Sequence, residues 1–309
     1  MFWKIATGTI SFIFIIFMVG GIFVYFLPFE TTYFVPQSFG SKNYNFSVDG
    51  NEGMQFYENL RYRDKRISYR IENVCNLNRK TDMEGAFQIL EDETVLDFYP
   101  VETDEEIFVT CEDKIKVEER FFVAGEGGPT NITKTDRFNV ILHGGILLLK
   151  NNDCERPNVA THELLHALGF DHSANRNNIM NNISKCGQTL GEDIPNAINN
   201  LYSIESFADL SFENVSASMD GKYLNLNISV RNYGLRDAGE SSLVVYADSK
   251  EIKNSEISPI KIGHGWTITI GNLFVSQIKV EELKVEIVSN FGELDKENNN
   301  ATLQVKGKS

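Results

Sequence analysis

Positive charge is what this chain most lacks. Its 309 residues hold 29 Lys and Arg against 43 Asp and Glu, a formal net charge of −14 with a pI near 4.9. No basic run interleaved with aromatics offsets that deficit, which argues against nucleic acid and anionic membrane surfaces as partners. Cysteine is scarce as well. The four present, Cys75, Cys111, Cys154 and Cys186, include no CxxC spacing, which excludes a zinc knuckle or a thioredoxin-type redox motif. Charge of either sign is missing from residues 5–27, IATGTISFIFIIFMVGGIFVYFL. A run of that length matches the roughly 20 apolar residues a bilayer core demands. VGG at 19–21 is a poor cleavage site, so the segment reads as an uncleaved signal anchor, and the chain would be secreted if it were cut. Lys4 before the run and Glu30 after it place the N-terminus inside and the bulk of the chain outside.

Histidine is rare too: three of only five histidines fall in HELLHALGFDH, residues 162–172. On a helix His162 and His166, four apart, share one face. Glu163 then sits beside the point where their imidazoles converge, placed to work on a water. Gly169 permits a backbone turn that other residues resist, letting His172 swing back as a third ligand. Three neutral imidazoles leave one position of a tetrahedral Zn²⁺ open, the pattern of a catalytic rather than a structural site. A bare HExxH carries a real false-positive risk, and the added glycine and histidine lower it by roughly a thousandfold.

HExxHxxGxxH followed by a methionine turn resembles the metzincin zinc metalloproteases. The matching methionine is Met180, in NNIMNN. The resemblance gives it the role of a hydrophobic floor under the metal, without ligation. Within that clan residues 55–205 look most like the matrixin branch. Ser173 follows the third histidine, LGEDIPNAINNLY (190–202) is similar to the matrixin C-terminal helix, and ISYRI and FYPV are similar to matrixin strands. Three departures stand out: Leu165 replaces a usual Gly, and neither a cysteine-switch propeptide nor a structural-zinc HxD pattern appears. No tyrosine follows Met180 at the spacing where astacin-like enzymes place a fifth ligand, which argues against that branch.

Cys154 precedes the motif and Cys186 follows Met180, so a bridge between them would clasp the zinc loop. Cys75 and Cys111 would form a second, and four cysteines allow three pairings. Six N-x-[ST] sequons permit glycosylation in such a compartment. Strands are expected at about 66–72, 95–101, 106–111 and 138–149. A helix is expected over about 82–92, started by a Thr81/Glu84 capping box. AGEGGPTNIT reads as turn-rich. His143, on the last of those strands, reads as an ordinary strand histidine. From about 207 the pattern becomes short alternating segments between turn signals, which suggests a seven-strand immunoglobulin-type sandwich. LNISVRNYGLRDAGESSLVVYAD and FGELDKENNNATLQV resemble the CARDB family, implying an interaction or spacer module with a cell-surface partner. Asp295, Glu297 and Asn298–Asn300 read as a closing turn in preference to a Ca²⁺ site, which nothing else supports.

The expected organisation is a cytoplasmic tip and anchor (1–27), a stem and linker (28–55), an α+β metzincin-type domain (56–205) and an all-β sandwich (206–309). The expected function is a membrane-anchored zinc endopeptidase acting outside the cell on protein or peptide substrates. The alternative is a surface adhesion protein whose metal domain is degenerate, and the intact Glu163 argues against it.

Overall fold

The computed structural model describes residues 28–38, 54–114, 116–118, 121–149, 154–276 and 280–304, together with Met18. The expected anchor over 5–27 lies outside the described residues apart from Met18. Among the described residues no helix is long and apolar enough to cross a membrane.

The first described element is a strand, β1 (Thr31–Ser38). Next come β2 (Leu60–Tyr62), β3 (Arg66–Ile71), α1 (Leu77–Glu93), β4 (Asp97–Pro100) and β5 (Ile107–Cys111). The small hairpin β6 (Lys116–Glu118) and β7 (Phe121–Val123) leads to β8 (Gly125–Lys134) and β9 (Asn139–Leu148). Two helices, α2 (Asn158–Ala167) and α3 (Asp193–Leu201), close this half. The sheet runs β2-β9-β5-β3-β4, with β8 lying antiparallel along the other edge of β9. Alternation in β5 turns Ile107, Val109 and Cys111 inward. They meet Met83, Ala86, Phe87 and Leu90, which share one face of α1. The Phe87 ring stacks at 4.1 Å on Tyr69 and lies 4.8 Å from Phe98. Each such ring contributes roughly 1.5–3 kcal/mol by leaving water.

α1 begins earlier than its capping-box signal predicts. Asn76, not Thr81, is the cap, and its side chain accepts the Arg79 N–H at 3.0 Å. The extra turn is held from outside the helix: Cys75 is bridged to Cys111, and the buried Arg79 guanidinium pairs with Asp113. AGEGGPTNIT, expected as turns, is mostly strand β8.

The C-terminal half comprises β10 (Leu210–Asp220), β11 (Tyr223–Asn232), β12 (Ser241–Ala247), β13 (Lys250–Ile257), β14 (His264–Phe274), β15 (Glu282–Ser289) and β16 (Asn300–Gln304). Two antiparallel sheets, β1-β14-β11-β10 and β13-β12-β15-β16, face each other over an aliphatic core. The expected seven strands are therefore joined by an eighth, β1, from the segment read as a stem. TTYFVPQS is rich in β-branched and aromatic residues, and β1 pairs with β14 from Thr31↔Gly271 to Ser38↔His264. Pro36 is tolerated because β1 is an edge strand.

The two halves meet at the opposite end of the sandwich from Thr31. Phe138 and Val140 pack with Leu235 and Ile262. Gly263, at φ +70°, comes so close that a Cβ there would lie 2.3 Å from Thr133 Cγ2. Arg236 pairs with Asp64 at 2.7 Å, an exposed contact worth about 0–1 kcal/mol. Asp295 accepts the Glu297 N–H at 2.8 Å, serving the closing turn.

Candidate zinc site

α2 carries the first two histidines on its buried face, and almost every residue of this helix is buried. Helix propensity alone would not hold so short a segment, and no side chain caps it at Pro157. Packing and two covalent or polar ties do so instead. Cys154 is bridged to Cys186, and Asn158 Nδ2 donates to Lys185 O at 2.7 Å. Both cysteine pairs envisaged from the sequence are formed, and among the described residues no cysteine is free.

The helix ends at Gly169, whose φ of +96° belongs to the left-handed region. A Cβ at this position would also lie 2.6 Å from Leu60 Cδ2. The turn returns the chain so that ligand atoms of His162, His166 and His172 all lie within 4.8 Å of one another. Among the described residues this is the one group of His, Cys, Asp or Glu side chains arranged to hold a metal ion. His166 Nε2 and His172 Nε2 are 3.2 Å apart. Two nitrogens bound tetrahedrally to zinc at about 2.0–2.1 Å would be about 3.3 Å apart, so the spacing fits.

The remaining ring nitrogens settle the tautomers. His162 Nδ1 lies 2.7 Å from Ile179 O, and His166 Nδ1 lies 2.8 Å from Phe170 O. Carbonyls accept only, so each Nδ1 carries the proton and each Nε2 presents a lone pair inward. Burial pulls His162 down to about 4 and His166 down to about 3, and lowers His172 as well. At neutral pH all three are uncharged, the form that ligates a cation.

Glu163, the residue after His162 on α2, packs against β8. A Cβ on Gly125 would come within 3.0 Å of its Oε1, and one on Gly127 within 2.2 Å of its backbone oxygen. The glycines of AGEGG therefore admit a strand against a helix and do not make turns. Burial, and then the charge of Glu126, push the Glu163 carboxyl up to about 8. A cation held beside it would favour the ionised form again.

Met180 is fully buried, in the same core cluster as Leu164 and Leu165. Its N–H donates to Asn178 Oδ1 at 2.8 Å, and its carbonyl accepts from Ser173 N at 2.8 Å. Asn178 also donates from Nδ2 to Asp193 at the start of α3, at 3.3 Å. Phe56 stacks on the His166 ring with centroids 5.6 Å apart, and its N–H donates to Gly169 O at 2.9 Å. Asn178, Phe56, Gly125 and Gly127 were not singled out from sequence. Only the Asn two residues before a buried Met carries a local signal, that of an Asx turn. His143 is exposed on β9 with Nδ1 3.2 Å from Glu105 O, and takes no part in the site.

These shifts fix an acid response for the metal-free protein. His162 and His166 have folded pKa values below their ordinary 6.5, so the stability they confer is complete above 6.5 and is lost as pH falls toward 4 and 3. Glu163, raised from 4.5, works the other way, and one carboxyl opposes two imidazoles between 6.5 and 4.5. Chelator-treated protein is expected to melt at a lower temperature at pH 5 than at pH 6.5. An equal or higher melting temperature at pH 5 would contradict this.

Residues 55–206 match the model of the Astacin peptidase family, and residues 207–304 match the CARDB model. The first is the branch that the missing tyrosine was read as disfavouring. No curated protein matches the chain. Among solved structures, the CARDB domain of a Pyrococcus furiosus protein, determined in complex with di-metal ions, shares 18% identity over 33% of this chain and 90% of its own, with a TM-score of 0.29. The convergent histidines, the buried glutamate and the methionine turn agree with the family match: residues 55–206 belong to the metzincin-type zinc metallopeptidases, and residues 207–304 are a CARDB domain.

Proposed function

We propose that the chain is an endopeptidase tethered to a membrane by residues 5–27 and acting outside the cell. The observation that carries the catalytic reading is the convergence of three neutral imidazoles, with the buried Glu163 following His162 in the same helix and standing outside the ligand group. Zinc held by His162, His166 and His172 would polarise the scissile carbonyl and acidify a water. Glu163 takes the proton as the water oxygen bonds to the carbonyl carbon, then returns it to the amine nitrogen as the C–N bond breaks. β8, the antiparallel strand outside β9 and against α2, is suited to receive an extended substrate backbone. The lack of a tyrosine after Met180 favours a three-histidine site of matrixin type within the clan. The uncharged run at 5–27 and the two disulfides support an anchored, oxidising location.

The cleft beside His172 has a volume of about 560 Å³ and is lined by Asn182, Ile183, Arg176 and Lys185. Two cations and no carboxylate in that lining favour a substrate with an acidic side chain next to the scissile bond. An unfolded protein substrate should be cut, with activity lost to a chelator and regained with Zn²⁺. Absence of cleavage across a broad peptide library by zinc-loaded protein would instead support a binding role. Arg176→Glu is expected to lower kcat/KM for acidic peptides by roughly fivefold relative to neutral ones, the size of a strong exposed ion pair. An unchanged ratio would remove Arg176 from substrate selection.

A further inference from the structure

The sandwich has two unlike ends. One meets the catalytic domain through Leu235, Ile262 and Gly263. The other gathers the start of β1, the β10–β11 turn and the end of β14. Three aromatics cluster at this second end. Phe29 is 60% exposed and Phe274 is 58% exposed. Tyr223 pairs across the ladder with Phe274, their rings 6.0 Å apart and edge-on. Asn272 Nδ2 donates to Phe29 O at 3.2 Å, which brings the entering chain to the tip of β14. Lys253 pairs with Glu30 and fixes that entry from the side of β13.

Beyond the Tyr223–Phe274 pair, this end leaves contiguous aromatic surface in water, the kind of patch that marks a contact site. The amphipathic Tyr223 ring suits the interfacial layer of a bilayer, and the wholly apolar Phe29 and Phe274 rings suit its acyl side. The uncharged run ends at Leu27, two residues before Phe29. A chain extends at most about 3.6 Å per residue, so an anchor at 5–27 leaves the tip of the sandwich only about 7 Å of slack from the membrane. We propose that Phe29, Tyr223 and Phe274 seat this end of the sandwich in the interfacial layer of that bilayer. The CARDB domain then stands as a pedestal between membrane and peptidase. β14 has eleven residues, which at about 3.3 Å each hold the catalytic domain on the order of 35 Å above the surface. The proposal rests on the anchor reading of residues 5–27.

The test uses the full chain reconstituted into phosphatidylcholine vesicles containing brominated lipids, with tryptophan as reporter. The native tryptophans are Trp3 and Trp266. Trp3→Phe leaves Trp266, eight residues and about 26 Å along β14 from Phe274, as an internal reference. Adding Phe274→Trp places a second reporter at the tip, where an exposed aromatic already stands. The tip tryptophan is expected to lose about half its emission to bromine in the interfacial layer, while Trp266 keeps its own. Protein that resists carbonate extraction, yet whose position-274 emission is unaffected, overturns the seating and leaves the anchor intact. Protein that carbonate releases from the vesicles overturns the anchor and the seating together. Equal quenching at 266 and 274 overturns the upright pedestal in favour of a sandwich lying flat.

Discussion

Glu163→Gln is expected to lower kcat/KM by about 10²–10⁴-fold while leaving zinc content unchanged. The substitution conserves volume, and this matters because the side chain lies within about van der Waals distance of the Gly125 backbone. The amide fills the same space, so helix α2 and the histidines on either side keep their positions. What it removes is the capacity to accept and return a proton. The three ligating nitrogens belong to His162, His166 and His172, and the backbone carbonyls of Ile179 and Phe170 orient two of them without help from Glu163. Peptidase assays alongside metal analysis separate the two roles. Loss of zinc together with activity would make Glu163 a structural residue, and full activity would remove it from the reaction.

Gly127→Ala is expected to damage both stability and activity through a single added methyl group. Its Cβ would lie 2.2 Å from the Glu163 carbonyl oxygen and 2.9 Å from the Glu163 Cα. Backbone atoms of a packed helix cannot rotate aside as a side-chain tip can, so β8 and α2 must part. Overpacking of this kind costs about 1–3 kcal/mol. For a domain of this size each kcal/mol lowers Tm by roughly 2–4 °C. The atoms displaced are those that carry the general base, and misplacement by about 1 Å costs on the order of 10²-fold in rate. Gly187→Ala serves as the control, because nothing lies within 4 Å of a Cβ at that position. It should change stability by no more than about 0.5 kcal/mol. Equal effects of the two substitutions would show that the strand–helix contact at Gly127 is unimportant.

The site was legible in the sequence where its chemistry is local. His162, Glu163, His166, Gly169 and His172 lie within one helix and its closing turn, so helical periodicity and one left-handed residue largely determine their placement. Met180 was legible by its distance from the motif. The residues that support the site from elsewhere were not. Gly125 and Gly127 look like turn formers because a sequence does not record what another segment presses against; only the proximity of α2 makes them strand residues. Phe56 reaches His166 from a distant part of the chain. The start of α1 was misplaced for a similar reason, since a local capping box at Thr81 yields to a disulfide and a buried arginine. β1 was missed because eight residues beside a long apolar run give no indication of a partner strand near the other end of the chain. The missing tyrosine after Met180 is a local feature that bears on the ligand set alone, whereas the family match draws on residues 55–206 as a whole.

β1 also sets a timetable for synthesis. Gln37 and Thr267, hydrogen-bonded across the β1–β14 ladder, are 230 residues apart in the chain. At about 5–20 residues per second, the ribosome delivers β14 roughly 10–50 s after β1. During that interval Tyr33, Phe34 and Val35 form an unpaired strand edge, a ready template for the wrong partner. Pro36 in the middle of the strand withholds one ladder hydrogen bond and so discourages such pairing. The peptidase half, complete in sequence by residue 206, can fold while β1 waits, and the sandwich closes only when the last third of the chain has emerged.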